Sequence, residues 1–290
     1  MVVEEDEKTE EILVLDGAER GVGRGKKENG LKEKKAASIE IGARDVEVLQ
    51  WVCEHYFSTK EILLGRFYAE SKFLTVGQQT GQYGSRRVTK LLREGYLGPS
   101  RYRVLGAVPL LLAPIGYKLL HGQGLSIEHH PVPDIDIANF EHDVWVQRLR
   151  TMFELQYGAT KWRTDRVLQR IQSEKKLPYV PDARFRIGEQ SWNLEVERTP
   201  KRKDRLKDLL KVRAEGSHKT RVLYVLDRRF SEFYREHMAV TVNPGCFFIT
   251  HFDDLGTVHW VGNDGAALPL DKLFQVQTTV GETHESVRFS

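Results

Sequence analysis

The chain has 290 residues, 40% of them hydrophobic and 29% charged, with a net charge of +3. That length suits one large or two ordinary domains, and the longest apolar run, residues 104–115, is broken by Gly106, Pro109 and Pro114, too short for a membrane span. The acidic N-terminus lacks a secretory pattern, and Cys53 and Cys246 lie far apart in apolar surroundings, so the reading is a cytoplasmic protein with free thiols and no membrane partner.

Residues 1–40 carry 8 Lys+Arg against 11 Asp+Glu, a balance of −3 that leaves +6 on the remainder. A stretch dominated by Glu, Lys and Gly cannot bury enough apolar surface to order itself, so it reads as disordered. Its Gly21-Val22-Gly23-Arg24-Gly25-Lys26-Lys27 patch lacks the spacing, the strand and the helix of a phosphate-binding loop. The folded part is basic, which favours a polyanionic partner.

Residues 41–121 read as a first domain. Val46, Leu49, Val52 and Cys53 form a helical stripe, and Ser58-Thr59-Lys60-Glu61 is a capping box opening a second helix. Gly84-Ser85 opens a third, with Val88, Leu91 and Leu92 inward and Arg86, Arg87, Lys90 and Arg93 outward, ending at Gly95. A strand over residues 102–104, a Gly-Ala-Val-Pro turn and a strand over 110–113 follow. Three helices and a hairpin resemble a winged helix. That resemblance implies a third helix in the major groove of double-stranded DNA, where Arg86, Lys90 and Arg93 share a stripe and Arg101 and Arg103 on the wing reach flanking phosphates. The same charges also suit the solvated face of a protein-binding winged helix.

Residues 122–139 have the Gly, Pro and Asp content of a linker, and the histidines at 121, 129 and 130 lack a second set of ligands at metal-binding spacing. A helix over residues 140–157 turns Val144, Trp145, Leu149, Met152 and Phe153 inward and carries His142, Asp143 and Glu154. A strand over 159–163 and a helix over 165–174 precede the most informative stretch. Pro181-Asp182-Ala183-Arg184-Phe185-Arg186-Ile187 and Trp192-Asn193-Leu194-Glu195-Val196-Glu197-Arg198 both alternate with period two around a polar turn, the pattern of an antiparallel hairpin. Glu195 and Glu197 then share one face, and Asp182 enters the neighbouring strand, so three acids converge as Mg²⁺ or Mn²⁺ requires. Thr199-Pro200 starts a helix, and residues 198–213 hold 8 Lys+Arg and 2 Asp, with Lys203, Lys207 and Lys211 repeating as a cationic ridge. Strands over 221–226 and 246–250 flank a helix over 230–237, and a polar tail begins at Asp271.

The order Pro-Asp, Glu-x-Glu strand, basic helix resembles the PD-(D/E)XK nuclease superfamily. It implies an α/β (α+β) fold with a restriction-endonuclease-like αβββαβ core and a central mixed sheet over residues 140–270, behind the winged helix. Glu197 stands where that superfamily usually has Lys, and Lys201 or Lys203 can supply the charge from the helix. More narrowly, the hairpin, His142-Asp143, Trp162-Arg163 and the winged helix resemble the replication-relaxation family of plasmids and mobile elements, over residues 43–250. The resemblance implies a metal-dependent endonuclease or nickase. In it Asp182, Glu195 and a helix acid, Glu154, ligate the ion, Glu197 positions the nucleophile and Lys203 or Lys207 offsets phosphate charge, while Lys207 and Lys211 contact DNA. A relaxase-like variant needs a tyrosine, and Tyr157, Tyr179 and Tyr224 are all available. The other reading pairs the acids with Arg184, Arg186 and Arg198 and makes the chain a non-catalytic DNA-binding regulator, dimerising or recruiting plasmid replication or mobilisation proteins.

Overall fold

A computed structural model describes residues 13–14, 39–69, 82–125, 134–175, 179–215, 220–263 and 265–275. The chain divides into two compact units, residues 1–71 with 75–140, and 72–74 with 141–290.

In the first unit, α1 (Ala43–Glu54) opens where the Asp45 carboxylate accepts from the Gly42 amide at 2.8 Å and buries Val48, Leu49, Trp51, Val52 and Cys53. Thr59 caps α2 (Lys60–Phe67) by accepting from the Ile62 amide at 3.3 Å. The third helix, α3 (Gln82–Arg93), begins before the expected Gly84-Ser85 start. Gly84 serves packing instead: a Cβ there would lie 2.5 Å from Tyr68 Cβ, so only glycine admits α3 this close to the end of α2.

The strands of this unit pair differently from a simple hairpin. Leu13–Val14 (β1) pairs with Tyr102–Arg103 (β3), while Leu97–Pro99 (β2) pairs with Leu110–Leu112 (β4). The turn falls between the bridged Val104 and Ala107, at Leu105 (φ 49°) and Gly106 (φ 77°), two left-handed residues that reverse the chain tightly. The α4 helix (Pro114–Gly122) follows. The rest of residues 1–38, read as disordered, lies outside the described residues. Of the expected linker, Asp134 is bound to Ser100 and Arg101 and Ile135 is buried, because these residues pack on this unit.

The second unit is a seven-stranded mixed sheet. Its strands are β5 (Thr160–Thr164), β6 (Ala183–Ile187), β7 (Gln190–Glu197), β8 (Thr220–Leu226), β9 (Phe247–His251), β10 (Asp254–Trp260) and β11 (Ala266–Pro269), laid side by side in chain order. The β7, β8 and β9 strands run parallel and the other neighbours antiparallel. The helices α5 (Phe140–Gln156), α6 (Asp165–Lys175), α7 (Lys203–Glu215), α8 (Ser231–Ala239) and α9 (Leu270–Gln275) complete it.

Both faces of the central strands are covered, which is why β7 is buried along its last six residues. Leu194, Val196, Leu223, Val225 and Phe248 pack with Val146, Leu149 and Phe153 of α5 and Leu273 and Phe274 of α9. On the other face Val222, Tyr224, Leu226, Phe247 and Ile249 pack with Leu206 and Leu210 of α7 and Tyr234 and Met238 of α8. Leu273 and Phe274 therefore belong to the core and not to a polar tail starting at Asp271. The basic helix begins at Lys203, three residues beyond Pro200, which is left in the connection.

Candidate nucleic-acid interface and the buried acid cluster

Successive residues of a helix are rotated by about 100°, and this sorts the α3 side chains. Gly84, Val88 and Leu91 are buried, while Arg86, Thr89 and Arg93 are exposed. Among the described residues, Ser85, Arg86, Thr89, Lys90 and Arg93 line a concavity of about 380 Å³, and none of the five is an acid. Arg86 donates to the neutral side chain of Gln82 at 3.0 Å, and Arg93, whose side chain is 70% exposed, meets Glu94 at 3.0 Å.

Arg87 does not belong with them. Its Nε donates to Asp45 Oδ1 at 2.7 Å, its Nη2 pairs with Asp45 Oδ2 and also donates to the Glu40 carbonyl at 2.6 Å, so it ties α3 to the start of α1. The hydrogen bond to Asp45 raises its pKa against the opposing effect of burial. Arg101 is likewise bound, to Asp134 Oδ2 at 2.7 Å, with its guanidinium over the Tyr102 ring at 5.0 Å. Arg103 is exposed on β3.

The acids of the second unit stand at the carboxyl end of β7, where open α/β sheets place their ligands. Period two puts Asn193, Glu195 and Glu197 on the α7 side of the sheet, as the sequence requires, but that side is covered. Arg213, on α7, pairs with Glu195 at 2.7 Å, the two side chains 2% and 5% exposed. The Tyr179 hydroxyl donates to the other oxygen of Glu195. The guanidinium lies between the Tyr179 ring (4.4 Å) and the Tyr224 ring (5.1 Å). Burial pushes Glu195 up to about 8 in spite of Arg213.

Glu197 is paired with Lys201, and burial raises its pKa also. Asp182 precedes β6 and accepts from the Val196 amide at 2.7 Å and from His142 Nε2 at 3.1 Å. The other His142 nitrogen meets Asp143 at 3.0 Å. Burial pulls the imidazole down, but these two carboxylates outweigh it and raise His142 to about 10, so both nitrogens carry protons. Asp165, half-buried and facing the charges of Asp143 and Asp182, rises to about 6, mainly through desolvation.

Each of the three expected acids thus has a cation of the chain beside it: His142 for Asp182, Arg213 for Glu195, Lys201 for Glu197. Among the described residues, no group of three His, Cys, Asp or Glu is arranged to hold a metal ion. In this arrangement a Mg²⁺ or Mn²⁺ ion would have to displace His142 from Asp182, Arg213 and Tyr179 from Glu195, and Lys201 from Glu197. Glu154 lies twelve residues beyond His142 on α5, about 18 Å along the helix, and pairs with Arg150 at 2.8 Å. Two helix-borne acids stand nearer Asp182: Asp143 on α5, joined to it through His142, and Asp165 at the start of α6, whose amide donates to the Asp182 carbonyl at 3.0 Å.

The partners also differ from those read in the sequence. Arg184 donates to Asn193 at 2.9 Å and Arg198 pairs with Glu141. Lys203, Lys207 and Lys211 are exposed on α7. Arg213 was legible in principle: it falls seven residues after Leu206 and three after Leu210, on the apolar stripe, and a cation there requires a buried anion.

Compared with family models, curated proteins and solved structures, the chain matches none.

Proposed function

We propose that the protein binds double-stranded DNA through a winged helix formed by the first unit, with α3 in the major groove and residues 102–107 as the wing. The observation that carries this is the α3 concavity, lined among the described residues by Arg86, Lys90 and Arg93 and the hydroxyl residues Ser85 and Thr89, with only Arg93 paired to an acid, the neighbouring Glu94. Cations and small hydroxyls supply phosphate contacts and base-edge readout. The second unit is read as a PD-(D/E)XK-like fold that does not cut. Its carboxylates are engaged by His142, Arg213 and Lys201, and the exposed Lys203, Lys207 and Lys211 add contacts to the DNA backbone. In this reading the chain is an accessory factor of plasmid or mobile-element replication or mobilisation, acting in the cytoplasm, with a second copy or replication proteins as partners.

Fluorescence anisotropy with a labelled duplex tests the first half: Arg86→Ala with Lys90→Ala should weaken binding at least tenfold, and unchanged binding would sink it. Incubation with supercoiled plasmid in Mg²⁺ or Mn²⁺ tests the second. The plasmid should stay intact. Nicking that disappears in both Asp182→Ala and Glu195→Ala would establish the metal-dependent nuclease instead.

A further inference from the structure

A second concavity, of about 420 Å³, lies on the other flank of α3, against the first turn of α1, and shares Lys90 with the first. Its walls include Arg44, Tyr68 and Tyr83. The Arg44 guanidinium lies over the Tyr68 ring at 5.6 Å, and Tyr83, 68% exposed, meets the same ring edge-on at 6.3 Å. Its two acids are differently placed. Asp45 is neutralised by Arg87 and held by the Gly42 amide, while Glu40 gives its carbonyl to Arg87. Glu40 itself is exposed, and Arg44, Arg87 and Lys90 outnumber the two acids by one, so the lining keeps a net positive charge to attract an anion.

Two further features point to what enters. Tyr68 is 8% exposed, in the wall of this concavity, and its hydroxyl is buried without a hydrogen-bond partner among the described residues. Burial raises its pKa to about 12, so it remains a donor at any working pH. The amides of Ala43 and Arg44 belong to the opening turn of α1, whose N–H groups the helix itself cannot satisfy. A donor with no acceptor, two cations and a helix start together call for a tetrahedral oxyanion.

We infer that this concavity receives one backbone phosphate of the DNA, at the strand edging the groove that α3 enters; the inference rests on the DNA-binding reading. A helix with its side chains is about 10–12 Å across and the major groove about 12 Å wide, so the flanks of the helix face the phosphates. Arg87 fixes α1 on one such flank. Arg44 swings from the Tyr68 ring to the phosphate, which uncovers the hydroxyl to donate to a phosphate oxygen, and Tyr83 packs against the adjoining sugar.

The test is anisotropy of the full chain on one labelled duplex over a series of KCl concentrations, with Tyr68→Phe, Arg44→Ala and Arg86→Ala. Tyr68→Phe removes only an unpartnered hydroxyl, so the melting temperature should hold or rise while affinity falls about tenfold. The salt slope should stay the same, since no charge is lost. Arg44→Ala should weaken binding about tenfold and reduce the slope by about 0.9, one phosphate. If Arg86→Ala weakens binding and the other two variants stay within twofold of the natural protein, the pocket is refuted and the DNA reading survives. If the natural protein binds no duplex at any salt concentration, both fall.

Discussion

The exposed face of α3 and the carboxyl end of β7 are built from the same stock of charged residues and use it in opposite ways. On α3, Arg86, Lys90 and Arg93 stand around a concavity whose described lining holds no acid. At β7, Glu195, Glu197 and Asp182 each have a cation of the chain beside them, and Glu195 with Arg213 is withdrawn from water altogether. The difference comes from layering. Helix α3 covers one side of a small unit and leaves its other face to solvent, whereas β7 is a central strand with helices over both faces. Charges in the first setting are available to a partner, and charges in the second must satisfy one another.

The largest expected effect lies in the buried region. Above pH 8, where Glu195 is ionised, Arg213→Met leaves it buried without its counter-ion and should cost about 3–5 kcal/mol of stability. Arg213→Met combined with Glu195→Leu removes both charges and should recover most of that loss. Urea denaturation of the natural chain, both single variants and the double variant gives the coupling directly. A double variant no more stable than Arg213→Met would mean that the pair does not act as a unit.

A smaller effect separates the regions by pH. The folded His142 pKa is about 10 against an ordinary 6.5, so its contribution is complete below pH 6.5 and is lost as pH rises from 6.5 through 10. His142→Gln should cost about 2 kcal/mol at pH 6 and converge on the natural protein above pH 10. Asp165 works with the opposite meaning for an acid: its folded pKa of about 6 exceeds the ordinary value of 3.8, so its contribution is present below 3.8 and lost as pH rises through 6. Melting temperatures from pH 3 to 10 should fall across both ranges, and His142→Gln should lose the decline above pH 8 while keeping the one below it, to which Asp165 and the raised Glu195 contribute.

Period-two alternation was enough to read the hairpin of β6 and β7 and the shared face of Glu195 and Glu197, because side-chain direction along a strand is a local property. What covered that face was not local. Arg213 is sixteen residues beyond Glu197 and reaches Glu195 only because α7 folds back over the sheet. The pattern of a helix says which residues are polar and not which end meets the sheet, so it does not separate Glu154 from Asp143. The pairing of β2 with β4, and of β3 with β1, was hidden for a related reason: two- and three-residue strands carry too little alternation to fix their partners. Strands β10 and β11 were missed as well, their partly exposed residues giving no apolar run to recognise.

The finest test of the contrast is between two neighbours of identical chemistry, Arg86 and Arg87. Sequence places both on the outward side of one helix, yet a rotation of about 100° directs one to solvent and the other to Asp45, whose side chain is 5% exposed. Arg87→Ala removes the counter-ion of that carboxylate and the tie to the Glu40 carbonyl, so it should cost about 1–3 kcal/mol. Arg86→Ala should change stability by no more than about 0.5 kcal/mol, because its partner in the free protein is an exposed, neutral glutamine. In DNA binding the order reverses: Arg86→Ala should lower the slope of affinity with salt by about 0.9, one phosphate contact, and Arg87→Ala combined with Asp45→Asn, which keeps the net charge beside Arg44 and Lys90 unchanged, should leave the slope unaltered at temperatures where the variant is folded. Thermal melts and salt titrations of these variants side by side decide the matter. Equal melting temperatures, or equal loss of salt slope, would show that the two arginines do the same work and that the division between paired and presented charge does not hold on α3.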